Sequence, residues 1–275
     1  MKLKVLAWSP SRADKWYECP EKVLHEDLEK RCPVCFKGKV KGGFNGAPVV
    51  CDSCDDAQPT REPLERGNRL DAALTARLTP GAKAAKADDV PHAFTEATRH
   101  PAIAKLVAKL AKASKSVFAQ HRIALSRNWE RLEEDPERGI WPKNVWGRVV
   151  LDVLYLRPKL ARIIDWKSGN IDKRTGLIRE KHSYYHSMRA YQAAVLSVFP
   201  QAEASAEMAF LDAPPKLPDA FKIMANLKRA DLKTAQLAWE QHIEPMMNDE
   251  RFAPRPGPYC TWCPWQKAKG GPCKY

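Results

Sequence analysis

Three charged side chains stand where charge is costly. In the stretch from Trp146 to Gly169, WGRVVLDVLYLRPKLARIIDWKSG, Asp152 interrupts one apolar run, and Asp165 and Lys167 close the next. A buried carboxylate needs a compensating partner. Two carboxylates brought together by strand pairing repel one another, and the conflict is relieved by a divalent cation between them or by one retained proton. A hard, oxygen-liganded metal suits such a pair best. A lysine beside it orients or deprotonates a water and stabilises the negative charge that grows on a phosphate under attack. These residues also leave a plainer arrangement open, with Asp152 and Lys167 forming a buried salt bridge and Asp165 opening a polar turn at Ser168-Gly169.

The second chemical signal is cysteine. The chain has eight, at positions 19, 32, 35, 51, 54, 260, 263 and 273. The run CPVCFKGKVKGGFNGAPVVCDSC places Cys32 and Cys35, then Cys51 and Cys54, in two C-x-x-C knuckles across a glycine-rich, β-like spacer. That spacing predicts a structural zinc ribbon over 30–57, in which metal binding substitutes for a core too small to fold alone. Four thiolates leave no open position for catalysis. Lys37, Lys39 and Lys41 offer the ribbon a basic face, either for a phosphate backbone or simply for water.

Strands must position the acids. Val149 to Tyr155 are rich in β-branched, aliphatic and aromatic residues, Arg157-Pro158-Lys159 break the run, and Ala161 to Ile164 resume it, which predicts a buried hairpin. With a side-chain period of two, Asp165 and Lys167 share one face of their strand. Ser9-Pro10 opens a helix that Cys19-Pro20 interrupts. Further helices are expected over 63–78, 93–112, 115–132 and 182–199, with a linker at 80–92, a polar loop at 170–181 and a strand at 203–212. A last helix is expected over 227–247, burying Leu232, Leu237, Trp239 and Ile243.

Composition narrows the partners. The chain has 275 residues, enough for one sizeable core, and 46 Lys plus Arg against 33 Asp plus Glu give a net charge of +13. Such an excess favours a polyanion, nucleic acid first among them, over a neutral or cationic ligand. No apolar run reaches transmembrane length and MKLKVLAWSP lacks the hydrophobic stretch of a signal peptide, so an intracellular, cytoplasmic protein with reduced cysteines and no membrane partner is expected.

Asp152 followed by Asp165-Trp166-Lys167 resembles the core signature of the PD-(D/E)XK nucleases, and IIDWKSG resembles their RecB-like and phage exonuclease branch. The resemblance implies an α/β, restriction-endonuclease-like core over 1–275, with a mixed central sheet flanked by helices and the zinc ribbon as an insertion. It implies Mg2+ or Mn2+ held by Asp152, Asp165 and the main chain of Trp166, with Lys167 assisting the attacking water. ERGNRLDAAL is similar to the family's G-x-x-x-H helix, with Asp71 at the histidine position as a further metal ligand. Gln120 stands where relatives often carry a glutamate, and His121 beside it is expected at the surface or facing phosphate. The segment after the hairpin resembles the family's Q-x-x-x-Y helix, which implies DNA contacts by Tyr191, with Ser187 at the glutamine position, Gln192 as its substitute, and Arg189 beside them.

SPSRADKWYECP and RPGPYCTWCPWQKAKGGPCKY resemble the two ends of RecB-like nucleases that carry an iron-sulfur cluster. Three C-terminal cysteines need a fourth, and Cys19 is the one left once the ribbon takes its own four. The resemblance implies a [4Fe-4S] staple on Cys19, Cys260, Cys263 and Cys273 that joins 258–275 to the N-terminus. Ligand type alone leaves Zn2+ open there. The function implied is metal-dependent hydrolysis of DNA, by an exonuclease of recombination, repair or phage DNA metabolism in a prokaryote or phage-infected cell, acting on single- or double-stranded ends and with a recombination or single-strand-binding partner. The other class of function open to these residues is a non-catalytic DNA-binding protein built on the same scaffold.

Overall fold

A computed structural model describes residues 4–41, 50–54, 62–79, 90–133, 140–169 and 182–275. The chain divides into two compact units, residues 62–239 and residues 1–61 with 240–275.

The larger unit is built on a six-stranded sheet. Its strands are β3 (Val117–Leu125), β4 (Arg131–Leu132), β5 (Gly147–Leu156), β6 (Leu160–Lys167), β7 (Glu203–Phe210) and β8 (Phe221–Lys228). They lie in the order β4-β3-β5-β6-β7-β8, and every pairing is antiparallel except β6 with β7. The expected hairpin is β5 and β6, closed by the Arg157 N–H donating to Leu160 O at 2.9 Å. Val149, Leu151 and Val153 are buried while Val150 is 40% exposed, the alternation of a strand with one covered face. Ile163 and Ile164 are both buried, as a central strand requires.

A parallel pair needs a crossover. Helix α6 (His182–Val198) lies in that connection and packs on the sheet through Ala190, Ala193, Ala194 and Val195, all buried and small enough to let helix and strands approach closely. The other helices of this unit are α3 (Glu62–Leu78), α4 (Val90–Ala97), α5 (Pro101–Lys112) and the first half of α7 (Leu232–Met247). The architecture is the α/β core with a mixed sheet and flanking helices that the sequence implies.

Two segments differ from expectation. Residues 115–132 are not helical: a 3-10 turn at Ser114–Ser116 leads into β3, a reverse turn and β4. The long antiparallel pairing of β3 with β5, from Val117↔Tyr155 to Leu125↔Gly147, outweighs a local apolar pattern that also suits a helix. Likewise 227–231 belong to the end of β8 and a 3-10 turn, so α7 begins at Leu232. Trp239 and Ile243 are buried as expected, but Leu237 is 46% exposed. The region 93–112 holds two helices, α4 and α5, the second capped by the His100 side chain, which accepts the Ala102 N–H. The expected loop at 170–181 and residues 80–89 of the expected linker lie outside the described residues, and 90–92 open α4.

In the smaller unit the chain's two ends pack together. Ser9 caps α1 (Pro10–Glu18) by accepting the Arg12 N–H, and Pro10 sits in its first turn. Trp16 Nε1 then donates to Asp249 at 2.8 Å and Tyr17 Oη to His242 O at 2.6 Å. A two-residue ladder, β1 (Val40–Lys41) with β2 (Val50–Cys51), marks the cysteine ribbon. Among the described residues no helix is long and apolar enough to cross a membrane.

Candidate active site

The acids gather where two strands part. Backbone pairing of β5 with β6 runs from Leu156↔Ala161 to Val153↔Ile164, and the next residues are Asp152 and Asp165. Beyond that point β5 stays with β3 and β6 stays with β7, so the sheet forks. At the fork Asp152 Oδ2 accepts the Trp166 N–H at 2.7 Å. Asp165, 6% exposed, meets Lys167 Nζ at 2.5 Å, as their shared face predicts. The salt bridge of Lys167 is thus with Asp165 rather than with Asp152. Tyr184, in the first turn of α6, lies with its ring 4.9 Å below Lys167 Nζ and adds a cation–π contact that the sequence reading did not single out.

Asp71 arrives from helix α3. Its Oδ2 accepts from Gln120 Nε2 at 2.8 Å, while Oδ1 is buried with no hydrogen-bond partner. Gln120 is therefore part of the site, as an amide that orients Asp71 in place of an acid. Its backbone has φ +49°, a conformation that L residues other than asparagine and aspartate rarely adopt and that recurs at functional sites. His121 faces elsewhere, half-buried between the rings of Phe118 and Phe199.

Electrostatics bind the acids into one group. Burial raises the Asp152 carboxyl well above the ordinary carboxylate range, Asp165 and Asp71 add to the rise, and Lys167 and the Trp166 N–H oppose it. Burial also pushes Asp71 up to about 6, with Gln120 opposing and Asp165 reinforcing. For Lys167 burial works to lower the pKa, but Asp165 and then Asp152 overcome it and the ammonium is held above its usual value. Three acids in each other's field, one with an orphaned buried oxygen, form an all-oxygen donor set that suits a hard divalent cation. The chemistry of Asp71, Asp152 and Asp165 suits such an ion, although among the described residues only the ribbon cysteines bring three or more ligand atoms within 4.8 Å, so the three carboxylates lie further apart than one ligand shell.

The residues expected on DNA divide. Tyr191 is half-buried and Ser187 buried on α6, and Arg189 Nη1 reaches Ala225 O at 3.5 Å. Gln192 is fully buried, and its Nε2 donates to Ala204 O at 2.8 Å and Ala225 O at 3.1 Å. Its amide joins the helix to β7 and β8 and is not presented to a ligand.

The ribbon cysteines converge. The sulfurs of Cys32, Cys35, Cys51 and Cys54 all lie within 4.8 Å of one another, with Cys32–Cys54 at 3.8 Å and Cys35–Cys51 at 3.7 Å. A tetrahedral zinc with ligand bonds of about 2.3 Å asks for sulfurs about 3.8 Å apart. Backbone N–H groups of Val34, Gly38 and Ser53 donate to Cys32, Cys35 and Cys51 at 3.3–3.4 Å. The Gly38 N–H, followed by that of Lys37, lowers the Cys35 thiol to about 6, whereas burial and the neighbouring sulfurs push Cys54 up to about 12. A Cβ at Gly38 would collide with Cys51 Sγ and the Ser53 side chain, so any larger residue there must displace the ribbon's own side chains.

Cys19, Cys260, Cys263 and Cys273 line one pocket with Glu21 and Trp265. Cys19 Sγ accepts the Arg255 N–H and Cys260 Sγ the Gly257 N–H. Burial raises Cys263, and burial with Glu21 pushes Cys273 up to about 11. Among the described residues only the ribbon brings three or more such ligand atoms within 4.8 Å, so these four sulfurs are spread more widely than a single zinc requires.

No curated protein sequence matches the chain. Among solved structures, the crystal structure of SSO0001 matches at 14% identity over 75% of this chain and 86% of its own, with a TM-score of 0.32, a likeness too weak to inform fold or function. The family model of the PD-(D/E)XK nuclease superfamily matches residues 7–268, which takes in α1, the acid fork and two of the three C-terminal cysteines. By that match over nearly its whole length, the chain belongs to the PD-(D/E)XK nuclease superfamily.

Proposed function

We propose that the chain is an exodeoxyribonuclease that hydrolyses phosphodiester bonds with Mg2+ or Mn2+. The observation that carries the reading is that Asp71, Asp152 and Asp165 lie in one another's field, with Lys167 paired to Asp165, at the β5–β6 fork. An ion held by these acids and the Trp166 main chain would polarise the scissile phosphate and acidify a water. Lys167 holds that water and balances the charge growing on the phosphate, while Asp165 and the Tyr184 ring hold Lys167 in place. Gln120 keeps one Asp71 oxygen engaged and leaves the other for the ion.

Exonuclease action, and a role in recombination, repair or phage DNA metabolism inside the cell, follow from the resemblance of IIDWKSG to the RecB-like branch. The net charge of +13 supports guidance of single- or double-stranded ends by basic side chains, with Tyr191 and Arg189 of α6 as the strand contacts. Gln192, being buried, is not included. The ribbon's spacing supports Zn2+, and the wider spread of Cys19, Cys260, Cys263 and Cys273 supports a [4Fe-4S] cluster over a second zinc.

The test is digestion of end-labelled linear and closed circular DNA by anaerobically purified protein with Mg2+, Mn2+ or EDTA. Metal-dependent loss of linear but not circular DNA is expected, and binding without cleavage under every metal would leave a DNA-binding scaffold instead.

A further inference from the structure

The turn that follows Lys167 is held by groups outside the acid cluster. Asp212, just past β7, engages both carboxylate oxygens: Oδ2 accepts the Gly169 N–H and Oδ1 the Arg66 guanidinium. Arg66 is itself forked, its Nε donating to Glu96 of α4. The neighbouring Leu211 N–H donates to Lys167 O at 2.9 Å, so the 211–212 segment grips the strand end at two points. Gly169, the second of these points, bends the chain at φ +75°. Burial works to raise the Asp212 carboxyl, but Arg66 and the Gly169 N–H hold it below its usual value.

The same clamp reaches Asp71. Arg66 precedes Gly67 in α3, and a Cβ at Gly67 would stand 2.8 Å from Ser168 Oγ. Gly67 and Asp71 are one helical turn apart and share a helix face. The helix that carries Asp71 and the strand that carries Lys167 therefore meet at Gly67 and Ser168, and the Arg66–Asp212 pair pins that meeting point.

We propose that Asp212, charged and oriented by Arg66, is a positioning residue for DNA cleavage, keeping Lys167 in register with Asp71 without touching DNA or metal. The assignment rests on the nuclease chemistry proposed above. The two side chains are 31% and 19% exposed, and ion pairs in such partly solvated positions add little to stability. Their contribution is geometric.

The experiment compares Asp212→Asn, Asp212→Ala and Arg66→Lys with the unmodified chain and with Lys167→Ala. It measures kcat on saturating linear DNA, DNA affinity without metal, Mn2+ affinity, melting temperature and amide exchange at Gly169. The Asp212 variants are expected to lose about 10- to 100-fold in kcat per folded molecule, the range found when groups that orient metal ligands are removed. DNA affinity and melting temperature should stay near those of the unmodified chain, and Gly169 should exchange faster. Arg66→Lys, which keeps the charge but not the fork, should fall between, and it carries the test if the Asp212 variants do not fold. Unchanged kcat, or a loss that follows the folded fraction, overturns the proposal. If the unmodified chain binds Mn2+ but cleaves no DNA, the nuclease reading fails by itself. The clamp is then judged by Mn2+ affinity and Gly169 exchange, and no change in either overturns it.

Discussion

Asp152 Oδ2 accepts the backbone N–H of Trp166 at 2.7 Å, just past the last backbone pair between their strands, Val153↔Ile164. A side chain there takes the place of the main-chain acceptor that β5 withdraws. The fork can open without orphaning the N–H, and it opens at the residues that carry charge. The site is thus a defect in a sheet, stabilised by one of its own acids.

Asp152→Asn keeps an acceptor for the Trp166 N–H but removes a carboxylate from a crowded acid group. Cleavage should fall at least about 100-fold, the scale associated with losing a principal catalytic group. The metal-free protein should melt higher, by about 2–4 °C for each kcal/mol of repulsion relieved. Paired activity and thermal-unfolding measurements check both directions, and a lower melting temperature would contradict the electrostatic account.

Metal affinity should depend on pH. Asp71 is raised to about 6 by burial and by Asp165. A cation must displace its proton, so Mg2+ should bind more tightly as pH rises through that value, and Asp152, also raised, extends the rise. Folding without metal runs the opposite way. A carboxyl whose folded pKa is raised contributes stability that is complete below its unfolded value of 3.8 and is lost as pH rises through about 6. Calorimetric titrations and melting curves across this window check both slopes, which should flatten in Asp71→Asn.

Gly38→Ala should open the ribbon, since the added methyl meets Cys51 Sγ. Zinc affinity is expected to fall at least about tenfold. Competition with a chromogenic chelator measures it, and unchanged affinity would show that the ribbon relaxes around the methyl.

Anaerobic purification should yield brown protein with about four irons and about one zinc per chain. Cys19→Ala should remove iron and leave zinc, whereas Cys35→Ser should remove zinc and leave iron. Two zincs and no iron in the unmodified chain would assign both sites to zinc.

Much of the site was legible because its signals are local. The hairpin of β5 and β6 follows from β-branched runs and one turn, the shared face of Asp165 and Lys167 from a period of two, and the ribbon from two C-x-x-C knuckles whose sulfurs do converge. Likewise Ser9 and Pro10 announce α1 with a cap and a fixed φ.

Other features depend on partners distant in sequence. Segment 117–125 is a strand because β5 pairs with it, and nothing within the segment decides that against a helix. Gln192 has the composition of a ligand contact, yet packing of α6 turns its amide to the backbone of β7 and β8. Asp71, Gln120 and Tyr184 come from three separate elements, and their meeting with Asp165 and Lys167 is set by how helices seat on the sheet. The sequence by itself determined which residues could bind metals and which strands would carry the central acids, since backbone preference and ligand spacing act over a few residues. Only the tertiary structure decided where the sheet forks and which side chains converge there, because burial and long-range pairing are properties of the assembled core.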